Sequence, residues 1–84
     1  MFRIIPTYWG NDPVKSSRVN LYGDIYTSDM NFIENGPVAF YERKGHTWRW
    51  HVIFLNTGLY HPSKGFCKSE VEAENRIKAY LNQA

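Results

Sequence analysis

Apolar and polar residues alternate along most of this chain. Residues 2–9, 18–26, 38–43 and 47–55 are rich in aromatic and β-branched side chains at period two, the pattern of half-buried strands. Turn formers separate them: Gly10-Asn11-Asp12-Pro13, Asn35-Gly36-Pro37, Lys44-Gly45-His46, Asn56-Thr57-Gly58 and Pro62-Ser63-Lys64-Gly65. Proline has no amide to give a central strand, so Pro6 puts the first segment at a sheet edge or on a bulge. Residues 28–34 are expected to form one helical turn. The period changes only at the end, where Ala73, Ile77, Tyr80, Leu81 and Ala84 recur at helical spacing. Ser69 with Glu72 three positions later is a capping-box pattern, and Glu72 with Arg76 and Glu74 with Lys78 are favoured i,i+4 pairs. The pattern predicts a single α+β domain: an antiparallel sheet of four to five strands with one C-terminal helix packed on one face.

The hairpin around Gly45 can be registered residue by residue. With Gly45-His46 as a two-residue loop, glycine at the first central position suits a type II′ turn. Arg43 then opposes Trp48, Tyr41 opposes Trp50 and Ala39 opposes Val52 on one face, which the helix is expected to cover together with Phe54. Glu42 opposes Arg49, Phe40 opposes His51 and Val38 opposes Ile53 on the other. The second face, with Ile53 and Leu55, is too apolar to stand fully in water. Either the N-terminal segment or a second copy of the chain is expected to cover it, and a homodimer follows from the latter.

From about residue 38 to 81 the chain reads strand, tight turn, strand, Asn-x-Gly turn, short strand, helix. Within it, Trp48-Arg49-Trp50, Asn56-Thr57-Gly58, Lys64-Gly65-Phe66 and Ala73-Glu74-Asn75-x-Ile77 resemble the repeat of the YegP-like family. Those small bacterial proteins of unknown function carry a three-stranded antiparallel sheet and a helix, as two repeats in one chain or across a dimer. The resemblance implies a fold and dimerisation, and no activity. It covers about half of the chain; residues 1–36 do not follow the pattern. The compact, aromatic-rich chain also resembles bacteriophage accessory proteins, which suggests a factor that neutralises a host defence or toxin system.

Composition narrows the chemistry. Eighty-four residues suit one domain, and 17% aromatic content lets so short a chain build a core. One cysteine makes no internal disulfide, there is no run of about 18 apolar residues, and the opening segment lacks a signal peptide's apolar stretch. A cytoplasmic protein with no membrane partner is expected. The net charge of +2 hides a partition. Residues 1–42 hold three cations and five acids, residues 43–68 five cations and no acid, and residues 69–84 two cations and three acids. All three histidines also fall in the cationic window.

That window points to an anionic partner. Arg43, Lys44, His46 and Arg49 are expected to cluster at one end of the hairpin beside Trp48 and Tyr41. His51 lies along the strand, and Lys64 and Lys68 lie on the loop before the helix. Cations meet backbone phosphates and exposed rings stack on unpaired bases, so nucleic acid, RNA ahead of DNA, is the expected ligand. Most rings are needed for the core; Trp48, Tyr41 and Trp9 remain for a partner. Replacing Arg43 and Arg49 together by Glu is expected to abolish anion binding with the fold largely intact, apart from the pairing of Arg49 with Glu42. The alternative is a protein-interaction module or inhibitor that docks an acidic or apolar surface, with Tyr8, Trp9 and the Ile53/Leu55 face as its contacts.

Catalytic and metal patterns are weak. His46, His51, His61 and Cys67 have no standard zinc spacing. Cys67 sits near a helix N-terminus, where a thiol pKa can fall, with His61 upstream as a conceivable base. Residues 62–65 lack the glycine spacing of a phosphate loop, and no pair of carboxylates is placed for acid–base work. Neither an enzyme nor a cofactor is expected.

Overall fold

In the computed structural model, which describes residues 2–53 and 64–81, the alternating segments become five strands and the terminal period a helix. They are β1 (Phe2–Asn11), β2 (Arg18–Thr27), β3 (Phe32–Lys44), β4 (Thr47–Val52), β5 (Lys64–Cys67) and α1 (Glu70–Leu81). The strands form one antiparallel sheet in chain order, and α1 packs against β4, β3 and β5. The predicted α+β architecture is what the chain adopts. No described helix is long and apolar enough to cross a membrane.

The Gly45 hairpin has the predicted register, from Ala39 opposite Val52 to Lys44 opposite Thr47. Gly45 has φ +62° while His46 stays at negative φ, as a type II′ turn demands. Of the predicted Gly10–Pro13 turn, Gly10 and Asn11 belong to β1, and the β1–β2 connection begins at Asp12. Asp12 Oδ1 accepts the amides of Val14 and Lys15, both at 2.8 Å, and the Asp12 amide donates to the Arg18 carbonyl at 2.9 Å. Pro6 satisfies both expectations at once, since β1 is an edge strand and its register shifts between Pro6 and Tyr8.

Three local expectations fail. Residues 28–34 do not form a helical turn; residues 28–31 close a tight β2–β3 connection. There the Met30 amide donates to the Thr27 carbonyl and the Thr27 amide to the Asn31 carbonyl, both at 2.9 Å, with Met30 left-handed at φ 65°. Pairing of Phe32 with Tyr26 then carries the chain directly into β3. Asn35-Gly36-Pro37 is not a turn but part of β3. Its glycine and proline accompany a bulge where the partners of Leu21 and Tyr22 jump from Ala39 to Pro37, a place that asks no ladder amide of proline. Val38, the extra residue, is fully buried. Of the remaining predicted turns, residues 56–58 lie outside the described residues. Lys64 and Gly65 begin β5 rather than a loop.

Leu21, Ile25, Ala39, Tyr41, Trp50, Val52 and Cys67 meet Ala73, Ile77 and Leu81 of α1 in the core. Trp50 lies 5.2 Å from Tyr80, centroid to centroid. Phe54 and Ala84, expected in the same packing, lie outside the described residues. At the helix start the Glu72 amide donates to Ser69 Oγ at 3.2 Å, but the Glu72 carboxylate accepts from the Lys68 amide at 3.4 Å instead of that of Ser69. Glu72 pairs with Arg76 at 3.8 Å; Glu74 turns inward and accepts the Tyr41 hydroxyl at 3.0 Å. The N-terminal segment lies in the sheet as β1, so it does not cover the second face.

Candidate nucleic-acid interface

Residues directly opposite in an antiparallel sheet share a face, so the register sorts the functional side chains. Arg43, Tyr41, Trp48 and Trp50 lie on the helix side. Phe66, Arg49, Glu42 and Arg18 oppose one another in a single row on the other side, across four strands. The next row is Lys64, His51, Phe40 and Asn20, and Tyr22 with Tyr8 follows on β2 and β1. Among the described residues α1 is the only element outside the sheet, and it lies on the opposite face.

An ion triad organises the open face. Glu42 is only 4% exposed. Its carboxylate accepts Arg18 Nε at 3.1 Å and Arg18 Nη2 at 3.2 Å, and also Arg49 Nη2. Burial pushes the Glu42 pKa up, but the hydrogen bonds and charges of Arg18 and Arg49 outweigh it and hold the carboxyl below its ordinary value. The Arg18 guanidinium lies 3.9 Å above the centre of the Phe40 ring, and that of Arg49 lies 5.7 Å from it. His51 leans on the same ring at 5.3 Å. Burial, then Lys64, Arg49 and Arg18, lower the His51 pKa, so the imidazole is neutral at pH 7.

Flanking this centre are aromatic rings open to solvent. Phe66, beside Arg49, is 67% exposed, and Tyr8 is 55% exposed. Tyr8 stacks on Tyr22 with centroids 4.8 Å apart and planes 17° from parallel. Beneath the tyrosines, Asn20 is buried and donates from Nδ2 to Asp12 Oδ2 at 3.0 Å. That bond and the amides of Lys15 and Val14 draw the Asp12 pKa down to about 2.

The expected site residues are thus divided. Arg49, His51 and Lys64 share the open face. Arg43 lies on the helix side, where its Nε donates to the Gly45 carbonyl at 3.1 Å, and Lys44 and His46 occupy the hairpin end. Lys68 lies between β5 and α1. The rings kept for a partner are misplaced: Tyr41 is 2% exposed and donates to Glu70 at 2.8 Å, while Trp9 and Trp48 pack half-buried around it at 5.4 and 5.8 Å. Period-two alternation put them under the helix. Sequence reasoning paired Glu42 with Arg49 but missed Arg18 and Phe66 in the same row, and Tyr22 on the same face. Alternation in β2 carried the signal, for Arg18, Asn20 and Tyr22 recur at every second position.

The other chemistry does not converge. His51 and buried Cys67 lie on opposite faces, His46 is at the hairpin end, and His61 lies outside the described residues. No group of three metal-ligating side chains is found among the described residues. The Cys67 thiol lies within donor range of the Trp48 and Ser69 carbonyls, at 3.6 and 3.5 Å. Burial and Glu72 raise its pKa, against the lowering expected near a helix N-terminus. A cavity of about 130 Å³ between the β1 bulge and the end of α1 is lined by Pro6, Trp9, Leu21, Lys78 and Leu81. It is smaller than the roughly 300 Å³ at which ordinary small-molecule sites begin.

Comparison with known protein families, curated proteins and solved structures finds no match for this chain.

Proposed function

We propose that the protein is a non-catalytic nucleic-acid binder that holds a single strand, RNA ahead of DNA, across the open face of its sheet. One observation carries this: solvent-exposed Phe66 and Tyr8 flank the Arg18/Arg49 pair on one face, with Lys64 and His51 in the adjoining row. Unpaired bases stack on exposed rings and on guanidinium planes, and cations follow the phosphates between them. A flat sheet suits splayed bases better than it suits a duplex groove. RNA is favoured because the neutral His51 imidazole has one donor and one acceptor nitrogen, either of which suits a 2′-hydroxyl. The binding has no base code, so affinity depends on salt more than on sequence.

Fluorescence anisotropy with labelled U15, dT15 and a 15-base-pair RNA duplex tests the proposal at 50 and 300 mM NaCl. Micromolar binding to U15 at low salt, weaker to dT15 and weakest to the duplex, is expected. No binding to any of the three at tens of micromolar protein overturns the proposal and leaves docking to an acidic protein surface as the better account. Preference for the duplex overturns the single-strand part.

A further inference from the structure

We propose that Arg18, Glu42 and Arg49 form a built phosphodiester site at the centre of the open face, with Glu42 as its positioning residue. This placement rests on the nucleic-acid proposal and adds which group is gripped and how. Glu42 is a carboxylate in the middle of a cationic row, where simple charge counting makes it a defect. Its surroundings say otherwise. It is buried, it bridges two guanidiniums, and an ion so placed is costly to desolvate unless both partners hold it in good geometry. The bridge fixes two planar forks beside each other over the Phe40 ring.

Neither fork is used up. Each guanidinium has five N–H donors. Arg18 gives Nε and Nη2 to Glu42, which leaves Nη1. Arg49 gives Nη2 and its Nε is buried, so Nη1 and the second Nη2 hydrogen are what it has left to offer a ligand. The Arg49 side chain is more exposed than that of Arg18, 37% against 17%, so it is the one that reaches outward. A phosphodiester offers two unesterified oxygens, which match a guanidinium fork in a way that an ammonium does not. Phe66 stands next to Arg49 in the same row, where the base adjoining that phosphate can stack. The triad and Phe66 thus form the seat of one nucleotide unit, with Lys64 supplying unspecific charge nearby.

The two accounts of Glu42 predict opposite signs. If the acid only repels phosphate, Glu42→Gln tightens binding. If it positions the forks, the same change loosens binding despite the lost negative charge. The test measures U15 affinity at 50 mM NaCl for the intact wild-type chain, Arg49→Lys and Glu42→Gln, with circular dichroism to establish folding. Arg49→Lys keeps the charge and removes the fork; a tenfold or greater loss with an unchanged salt slope is expected. Folded Glu42→Gln is expected to bind at least fivefold more weakly. Arg49→Lys within twofold of wild type, or folded Glu42→Gln binding as tightly as wild type, overturns the triad while leaving the nucleic-acid proposal standing. If Glu42→Gln does not fold, Arg49→Lys decides alone. A wild-type chain that binds no oligonucleotide overturns both.

Discussion

Phe66→Ala separates the proposed binding face from the scaffold most cleanly. The ring is 67% exposed, so about one third of it is buried. Complete burial of a phenylalanine contributes roughly 1.5–3 kcal/mol, which leaves about 0.5–1 kcal/mol at stake for stability. At about 4–8 °C per kcal/mol for a domain of this size, the melting temperature falls by roughly 2–8 °C. The effect on binding is larger. Removal of a ring that stacks on a base costs about 1–3 kcal/mol, or roughly 5- to 150-fold in affinity. Thermal melts by circular dichroism and anisotropy titrations with U15 measure both on one sample. Phe66→Trp, which keeps a stacking surface, is expected to retain wild-type affinity. A folded Phe66→Ala variant that binds within twofold of wild type refutes the stacking role of this ring.

Three further outcomes are expected. Ile77→Ala empties a fully buried core position and destabilises by about 2–4 kcal/mol, while the molecules that remain folded bind U15 normally; this is read by denaturant melts and anisotropy. Arg43→Glu, on the helix side and bonded to the Gly45 carbonyl of its own turn, changes U15 affinity less than threefold, whereas Arg49→Glu sets a second carboxylate against buried Glu42 and lowers stability as well as binding. The melting temperature falls as pH drops below about 6.5, because burial and the neighbouring cations depress the folded-state pKa of His51 and the unfolded chain takes up the proton first. It falls again below about 4.5, where the depressed pKa of Glu42 makes its stabilisation disappear as the carboxyl is protonated. His51→Gln abolishes the first fall and leaves the second, as a melting series from pH 8 to 3 will report.

The parts of the fold legible in the sequence are those fixed by local chemistry. Gly45, at the hairpin position that needs positive φ, set the β3–β4 register, and Ser69 marked the helix start. The parts that were not legible depend on partners distant in sequence. Asn35-Gly36-Pro37 has turn composition, yet Gly36 is drawn into the ladder by Gly23, and Gly23 itself sits where an added Cβ would stand 3.0 Å from the Ile5 carbonyl. Nothing local to residues 28–34 reports that Tyr26 will pair with Phe32, which is what excludes a helical turn there.

The candidate site failed in the sequence for a sharper reason. A charge window along the chain is one-dimensional, and a strand sends successive side chains to opposite faces. The five cations of residues 43–68 were therefore bound to be divided wherever they fell in strands, and Arg43 and Arg49 part on opposite sides of one hairpin. What brings cations together is the cross-strand row, and that row draws Arg18 from the acidic part of the chain to a place beside Arg49. Glu42 connects the two. Read linearly it is one of five acids that offset the N-terminal cations; read across the sheet it is the shared acceptor that fixes two guanidiniums over one ring. The same alternation explains the aromatic error. Tyr41 and Trp48 are near the cations in sequence but on the helix side, whereas Phe66, seventeen positions beyond Arg49, is its direct neighbour. For a sheet protein, the unit in which to count charge and exposed rings is the row.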